Sequence, residues 1–259
     1  AGKLERFVYD EWQPLFFAEQ GESKKEAVVN QLDLQIGSVE MFTQTLHNVE
    51  LQAKHAKAVW TADVKSDEMA GRVWLPDSWD HVLEMDLEHL YISRKTSETE
   101  TAEEPFDPRE LPPFIIKSKQ TRFGELDLGH VSLKTRKLPL GLRIDSLETK
   151  SGIVEASVKG QWLRTNQHIS RVDVDLKVHD LGAVLAGLGY VETVKNADGA
   201  AKLSLNWDGP LLDYELASLD GVVDFDFEDG RLLEVEPGAG RFFGLLSVTA
   251  LPRRLLLDF

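Results

Sequence analysis

The sequence predicts a mainly β protein: a long antiparallel meander sheet with one apolar face, accompanied by a few short helices. Apolar and polar residues alternate over many short runs, for example within 172–178 and 203–207. Successive strand side chains point to opposite faces of a sheet, so each run indicates a strand with one apolar and one charged face. Short polar or glycine-containing stretches separate the runs, as hairpin turns do.

The composition indicates a folded chain and argues against several classes of partner. The 259 residues carry a net charge of −15, with 42% hydrophobic and 28% charged residues. Nucleic-acid phosphates and anionic lipid surfaces attract clustered lysine and arginine, so neither partner is expected for this acidic chain. There is no cysteine, which excludes disulfides and thiolate zinc sites.

The ends of the sequence suggest a piece of a longer protein. The chain begins without Met and ends within an apolar pattern. Its most apolar stretch, 242–251, is too short to cross a bilayer, which takes about 20 apolar residues.

The first segment, residues 1–92, is predicted as a β-meander with an N-terminal helix. Within 3–17, the spacing of Leu4, Phe7 and Trp12 is typical of a short amphipathic helix, and Pro14 marks its boundary or a kink. A series of alternating runs then extends from Leu32 to Tyr91 and predicts the strands.

A charged stretch divides the chain. Residues 93–110 are rich in Ser, Thr and acidic residues and poor in aliphatic ones, which is typical of a linker or an exposed loop. The meander resumes in the second segment, 111–259, where Gly129 offsets the alternation and predicts a β-bulge or a tight turn. Short helices are expected near 180–189, with Asp180 as N-cap, and near 239–250. The similar layout of the two segments suggests a weak internal repeat.

No arrangement of residues predicts catalysis or a cofactor. The seven histidines form no metal-binding motif, and the carboxylates alternate with apolar residues as on a solvated sheet face. The glycines in 238–244 resemble a dinucleotide loop, but the third glycine is one position late and no parallel βαβ unit surrounds them. We therefore expect a protein that is not an enzyme, without cofactor, metal or catalytic residue.

Alternation alone leaves two architectures open. A closed β-sandwich would cover the apolar face with a second sheet, whereas an open groove would leave it accessible to a ligand. The first architecture favours a scaffold or a protein-interaction module, and the second favours a carrier of an apolar ligand.

The second segment resembles a known family. The run LPPFIIKSKQTRFGELDLGHVSLKTRK opens it, and AKLSLNWDGP follows at 201–210. The most specific match is 219–241, which includes the run FEDGRLLEVEPGAGR. These residues are similar to the C-terminal region of the large AsmA-like proteins of the YhdP type. The first segment matches more loosely, chiefly through YDEWQPL at 9–15.

The resemblance implies a fold and a function. Proteins of this type are Gram-negative envelope proteins, in which an inner-membrane anchor carries a long periplasmic β-sheet curled into an open apolar groove. The groove moves phospholipid between the inner and the outer membrane. This chain would be a distal periplasmic piece without the anchor, with phospholipid acyl chains as partners and outer-membrane or envelope proteins as further candidates.

Candidate groove residues follow from the resemblance and the alternation together. The apolar members of the second segment's strands would line the groove: Leu126, Leu128, Leu142, Ile144, Val154, Val158, Val172, Val174, Leu176, Leu203, Leu205, Trp207, Phe225 and Phe227. The helix near 239–250 would cap the groove's end through Phe242, Phe243, Leu245 and Leu246.

Overall fold

The computed structural model describes residues 2–8, 30–41, 44–93, 107–189, 194–195, 197–211, 218–228 and 231–232. Six strands precede the charged stretch: β1 (Gly2–Val8), β2 (Gln31–Met41), β3 (Gln44–Ala56), β4 (Val59–Lys65), β5 (Met69–Pro76) and β6 (Leu83–Ile92). The remaining elements are β7 (Phe114–Phe123), β8 (Leu126–Leu138), β9 (Gly141–Lys150), β10 (Val154–Arg164), β11 (His168–Val178), α1 (Leu181–Gly187), β12 (Val194–Lys195), β13 (Asp198–Asp208), β14 (Asp220–Glu228) and β15 (Arg231–Leu232).

Thirteen of these strands form one sheet in the order of the sequence. The order runs from β1 to β11 without a break and continues with β13 and β14. The short strands β12 and β15 pair separately. Among the described residues, the first and last strands of the long sheet do not pair with each other, so the sheet stays open. The predicted mainly β fold is confirmed, and the described strands do not divide into the two facing sheets of a sandwich.

Two strand pairs depart from a purely antiparallel meander. The pairs β1–β2 and β6–β7 are parallel, and the other neighbours in the long sheet are antiparallel. A parallel neighbour requires a connection that returns along the whole strand, typically a dozen or more residues. The stretch 93–113 provides that return between β6 and β7. The predicted linker therefore joins adjacent strands of one sheet.

The predicted N-terminal helix is wrong over Gly2–Val8, which forms β1. The three-residue spacing of Leu4 and Phe7 is matched on β2, where they pair with Ile36 and Val39. The register is the same at both pairs, and both side chains pack on the core of β2 and β3, so the three-residue spacing occurs here within a strand. The rest of that prediction, residues 9–17, lies outside the described residues.

The predicted helix near 180–189 is confirmed as α1. The Asp180 carboxylate accepts a hydrogen bond of 3.0 Å from the Ala183 amide, as an N-cap side chain does. The helix expected near 239–250, with its end-cap residues Phe242, Phe243, Leu245 and Leu246, lies outside the described residues.

A compact core forms at one margin of β2 and β3. Ile36, Val39, Leu46 and Val49 are all buried there, with Leu4 and Met69 among the side chains packed against them. Two hydrogen bonds join the Gln44 side chain on β3 to the backbone of Ser93 after β6. Gln44 Oε1 accepts from the Ser93 backbone N–H at 2.8 Å, and Gln44 Nε2 donates to the Ser93 carbonyl oxygen at 3.2 Å. The contact is possible because the intervening β4–β5 hairpin ends short of this margin.

Candidate functional site

A continuous apolar row crosses the sheet at right angles to the strands. Residues that pair directly across a ladder place their side chains on the same face. From β2 to β14 the paired residues are Leu32, Ala53, Ala62, Val73, Met85, Ile116, Leu133, Leu147, Val158, Val174, Leu203 and Val223. We call these residues the central row and the side of the sheet that they occupy the apolar face. Ala53 and Ala62 are buried, and the other members are half-buried.

The predicted lining residues of the second segment fall on this apolar face. Val158, Val174 and Leu203 belong to the central row itself. Leu142 and Trp207 lie on rows nearer one margin, and Val154 lies nearer the other. Phe225 pairs with Ala201 and is 38% exposed. The backbone of Phe227 pairs with that of Gly199, and its side chain lies outside the described residues. That these residues line a lipid groove stays a prediction.

Several residues of the row were not predicted from the sequence. Leu147 follows Ile144 at a spacing of three because the β8–β9 ladder shifts register between them, so simple alternation misses it. Leu133 and Ile116 were not selected as lining residues although their runs alternate, and the ladder pairs them with each other. The signal that could have found Leu147 is an apolar pair at i and i+3 inside an otherwise alternating strand.

The predicted irregularity at Gly129 is confirmed. Gly129 has a φ of +60°, and the β8–β9 register shifts between Gly129 and His130. An added Cβ would collide with the Lys150 carbonyl oxygen, so glycine is required both for the backbone conformation and for the close approach. Bulges increase the local twist and bend of a strand. Similar register shifts occur between β5 and β6 and between β7 and β8.

One margin of the apolar face is covered by α1. This helix margin contains the strand ends near Leu126, Val154 and Val178, and all three side chains are buried. Gly187 of α1 packs on Leu126, where an added Cβ would lie 2.8 Å from the Leu126 Cα. Across from the helix margin, the central row is half-buried, so the apolar face opens towards its middle.

The opposite margin carries polar groups. We call it the arginine margin, after Arg164 at the end of β10. The Trp162 indole N–H donates to His168 Nδ1 at 3.0 Å, and burial lowers the pKa of His168. Hydrogen bonds from Arg109, with the Arg164 charge nearby, lower the pKa of Asp107 to about 2 despite its partial burial. Asp107 therefore remains a carboxylate at any physiological pH and ties the connection between β6 and β7 to the arginine margin.

The other side of the sheet is charged. Cross-strand ion pairs follow one another along it, including Arg72 with Asp63 at 2.8 Å and Arg136 with Asp145 at 2.9 Å. Open depressions of about 400 Å³ and about 450 Å³ lie mainly on this charged face and are lined by side chains of both signs. Within the described ranges, no three His, Asp or Glu side chains converge into a group that could hold a metal ion.

Comparison with known families decides the identity of the chain. The family model YhdP, described as YhdP protein, matches residues 1–259. The chain belongs to the YhdP family. The resemblance found in the second segment is thereby confirmed and extends to the first. Membership of this AsmA-like family indicates a protein of the Gram-negative envelope. Searches of curated proteins and of solved structures found no match. In the described part of this YhdP-family chain, no helix combines the length and the apolarity needed to cross a membrane.

Proposed function

We propose that this chain carries phospholipid between the inner and the outer membrane by holding its acyl tails against the apolar face. The observation that supports the proposal most strongly is the central row, in which every paired position from β2 to β14 is apolar. We further propose a periplasmic location, with phospholipid acyl chains as the ligand and no catalytic step.

The spacing of the row suits movement along it. Neighbouring strands lie about 4.8 Å apart, so each strand presents the next apolar side chain after a short step. Burial of a methylene group stabilises a bound tail by about 0.8 kcal/mol, and a tail with many methylenes would leave one deep pocket slowly. On a row of near-equivalent side chains, a tail loses and regains similar contact area at each step, so sliding is easier than release.

The two faces of the sheet have separate roles in this proposal. The charged face stays hydrated through ion pairs such as Lys202 with Asp175 at 3.6 Å, which keeps an extended sheet soluble beside an apolar ligand. The apolar face meets the tails. Alternation within a strand therefore separates ligand-contacting from water-contacting residues at every second position.

Photo-crosslinking in living cells tests the proposal. A photoreactive amino acid is placed singly at Val174 or Leu203, which pair on the apolar face, and at Ser204 or Asp175 as neighbours on the charged face. We expect phospholipid adducts at the first two positions and none at the second two, measured by mass spectrometry of the purified chain.

The matched positions make the result specific. Each pair differs by one residue along the same strand, so expression, folding and local depth are comparable. Equal labelling on both faces would contradict a one-sided lipid path. Absence of lipid at all four positions in folded protein would overturn the transport proposal and favour an envelope scaffold.

A further inference from the structure

Cationic side chains are distributed unevenly between the two faces. The register places Lys137 opposite Leu142 and Arg164 opposite His168, on the apolar side of the sheet. The other lysines and arginines with a register partner in the described part of the long sheet lie on the charged face. Both exceptions lie at the arginine margin. Over the described residues, the apolar face therefore has one cationic margin and one margin covered by α1.

The arginine margin changes from apolar to polar in steps along β10. From the central row outwards, the residues of the apolar face are Val158, Gly160, Trp162 and Arg164. Trp162 has an apolar ring and one N–H group, which suits the boundary between an apolar and a wet region. The order aliphatic, aromatic, cationic is complementary to an amphiphile with tails at one end and an anionic group at the other.

Arg164 is the cation with hydrogen-bonding capacity left. Arg109 donates from Nε to both oxygens of Asp107, at 2.9 and 3.0 Å, so its charge is matched by that carboxylate. The Arg164 side chain donates to Asp107 once, from Nη1 at 3.3 Å, and donates no other hydrogen bond within the described part of the chain. Its side chain is 34% exposed. A guanidinium presents five N–H donors, and its planar fork binds phosphate oxygens well.

We propose that the arginine margin binds the phosphate diester of a phospholipid, with Arg164 as the main anchor and Lys137 as a second cation. The acyl tails then extend over the central row towards α1. This inference rests on the proposed function and adds the orientation of the lipid to it.

The dimensions agree with that orientation. Six residues separate Arg164 from Val158, which is about 20 Å at about 3.3 Å per strand residue. One leaflet's hydrocarbon layer is about 15 Å thick, so the tails of a lipid held at Arg164 cover about three quarters of this distance and reach the central row only when they are more extended than in a bilayer. Lys137 shares a register row with Leu142 and Trp162, one step inside Arg164, and its Nζ bonds to Asp80 at 2.9 Å.

Two photoreactive lipids test the orientation on the purified chain. One phosphatidylglycerol carries a diazirine on its headgroup and the other carries it at the end of an acyl tail, each in vesicles of phosphatidylethanolamine and phosphatidylglycerol. We expect the headgroup probe to label 160–169 and the tail probe to label central-row peptides. Arg164→Gln should reduce headgroup labelling about tenfold, as expected for the loss of a charged hydrogen-bonding partner.

Control variants separate binding from folding. Arg164→Lys keeps the charge and should retain most of the labelling. Arg171→Gln removes an arginine from the charged face, where Arg171 lies between Gln161 and Asn206, and should change nothing. A diazirine diacylglycerol with the same tails lacks the phosphate and should label the central row equally in wild type and Arg164→Gln.

The outcomes distinguish this inference from the transport proposal. If the tail probe labels the central row but Arg164→Gln leaves headgroup labelling unchanged, the headgroup site is wrong and the transport proposal still stands. No labelling by either lipid would overturn transport itself. If glycerol phosphate, which has no tails, bound at Arg164 as tightly as the lipid, the margin would be a general phosphate site and the lipid orientation would be wrong.

Discussion

The apolar face is closed at the margin of β2 and β3 and accessible in the middle of β10, β11 and β13, although apolar residues form both regions. Around β2 and β3, Ile36, Val39 and Val49 are each no more than 8% exposed and pack as a closed core. In β10, β11 and β13, the aligned Val158, Val174 and Leu203 remain half-buried. Apolar strand residues therefore form a self-filled core in one region and an accessible surface in the other.

The contacts across the margin explain the difference. In the first half, the hydrogen bonds between Gln44 and Ser93 join β3 to the end of β6, and Met69 from β5 packs on the same core. The apolar side chains there meet one another. In the second half, α1 and the arginine margin cover the strand ends, and the middle of the face stays open. Closed core and accessible surface are thus distinguished by what lies across from them, not by their own residue types.

The largest expected effect contrasts a charge in the closed core with a charge on the open row. Val49→Asp should lower the free energy of unfolding by about 3–5 kcal/mol, because a carboxylate is buried there without a partner. Val174→Asp should lower it by about 1 kcal/mol, because the half-buried side chain can reach water. Urea denaturation of both variants measures the difference.

Val49→Ala serves as the control for lost packing alone and should cost about 1–2 kcal/mol, since the cavity is small. If Val174→Asp destabilised the chain as much as Val49→Asp, the middle of β11 would be as closed as the core of β2 and β3. The comparison between the two regions would then be wrong.

The second effect concerns ligand binding on one strand. Val158 lies between Val174 and Leu147 on the apolar face, whereas Gln161 lies between Arg171 and Arg143 on the charged face. Val158→Glu should reduce phospholipid recovered with the purified chain at least about tenfold, because tail contact would require desolvation of the carboxylate. Gln161→Glu adds the same charge between two arginines and should leave recovery unchanged.

Phosphorus analysis of chloroform extracts, normalised to protein, provides the measurement. Circular dichroism of both variants shows whether the sheet is intact. A similar loss of lipid in the two variants, with the fold preserved, would mean that net charge and not position on the apolar face controls binding.

The sequence predicted the parts of this fold that depend on local period. Alternation located the strands, and Asp180 and Gly129 were recognised from capping and bulge chemistry. The spacing of Leu4 and Phe7 misled because both residues pack on one core from a strand, which gives them the three-residue spacing of a helix. The parallel pairing of β6 with β7 was not predicted, since no local signal encodes the direction in which a long connection returns.

The sequence predicted which face of the sheet carries the candidate site, but not which residues align into one row across the strands. Alternation places Val158 and Val174 on one side of the sheet, and the register that aligns them into a row appears only when the strands pair. The role that we propose for Arg164 was not predicted either, because its place on the apolar face depends on the phase of β10 and its nearness to Asp107 depends on the connection before β7.

The smallest effect is a difference in pH dependence between the two halves. In the first half, a 2.6 Å hydrogen bond to Glu68 raises the pKa of His47. This bond stabilises the fold fully below the unfolded pKa, near 6.5, and the stabilisation disappears as the pH rises through the raised folded value. In the second half, burial lowers the pKa of His168, whose Nδ1 accepts the Trp162 indole N–H and must be unprotonated. That stabilisation is present above about 6.5 and is lost as the pH falls through the lowered folded value.

Acidification from neutral pH should therefore slightly increase the stabilisation from the His47 hydrogen bond and decrease the stabilisation from the His168 hydrogen bond at the arginine margin. The His47 effect should be a few tenths of a kcal/mol, because the His47 ring is exposed and solvent screens the pair.

Histidine titration by NMR should give a pKa above 6.5 for His47 and below 6.5 for His168. Hydrogen exchange should show amide protection rising near Glu68 and falling near Trp162 as the pH decreases, after correction for intrinsic rates. His47→Gln should abolish only the first change and His168→Gln only the second, because the two histidines lie in different contacts of the same sheet. A shift in the same direction at both margins would show that the overall charge of the chain, and not these two local environments, governs its response to acid.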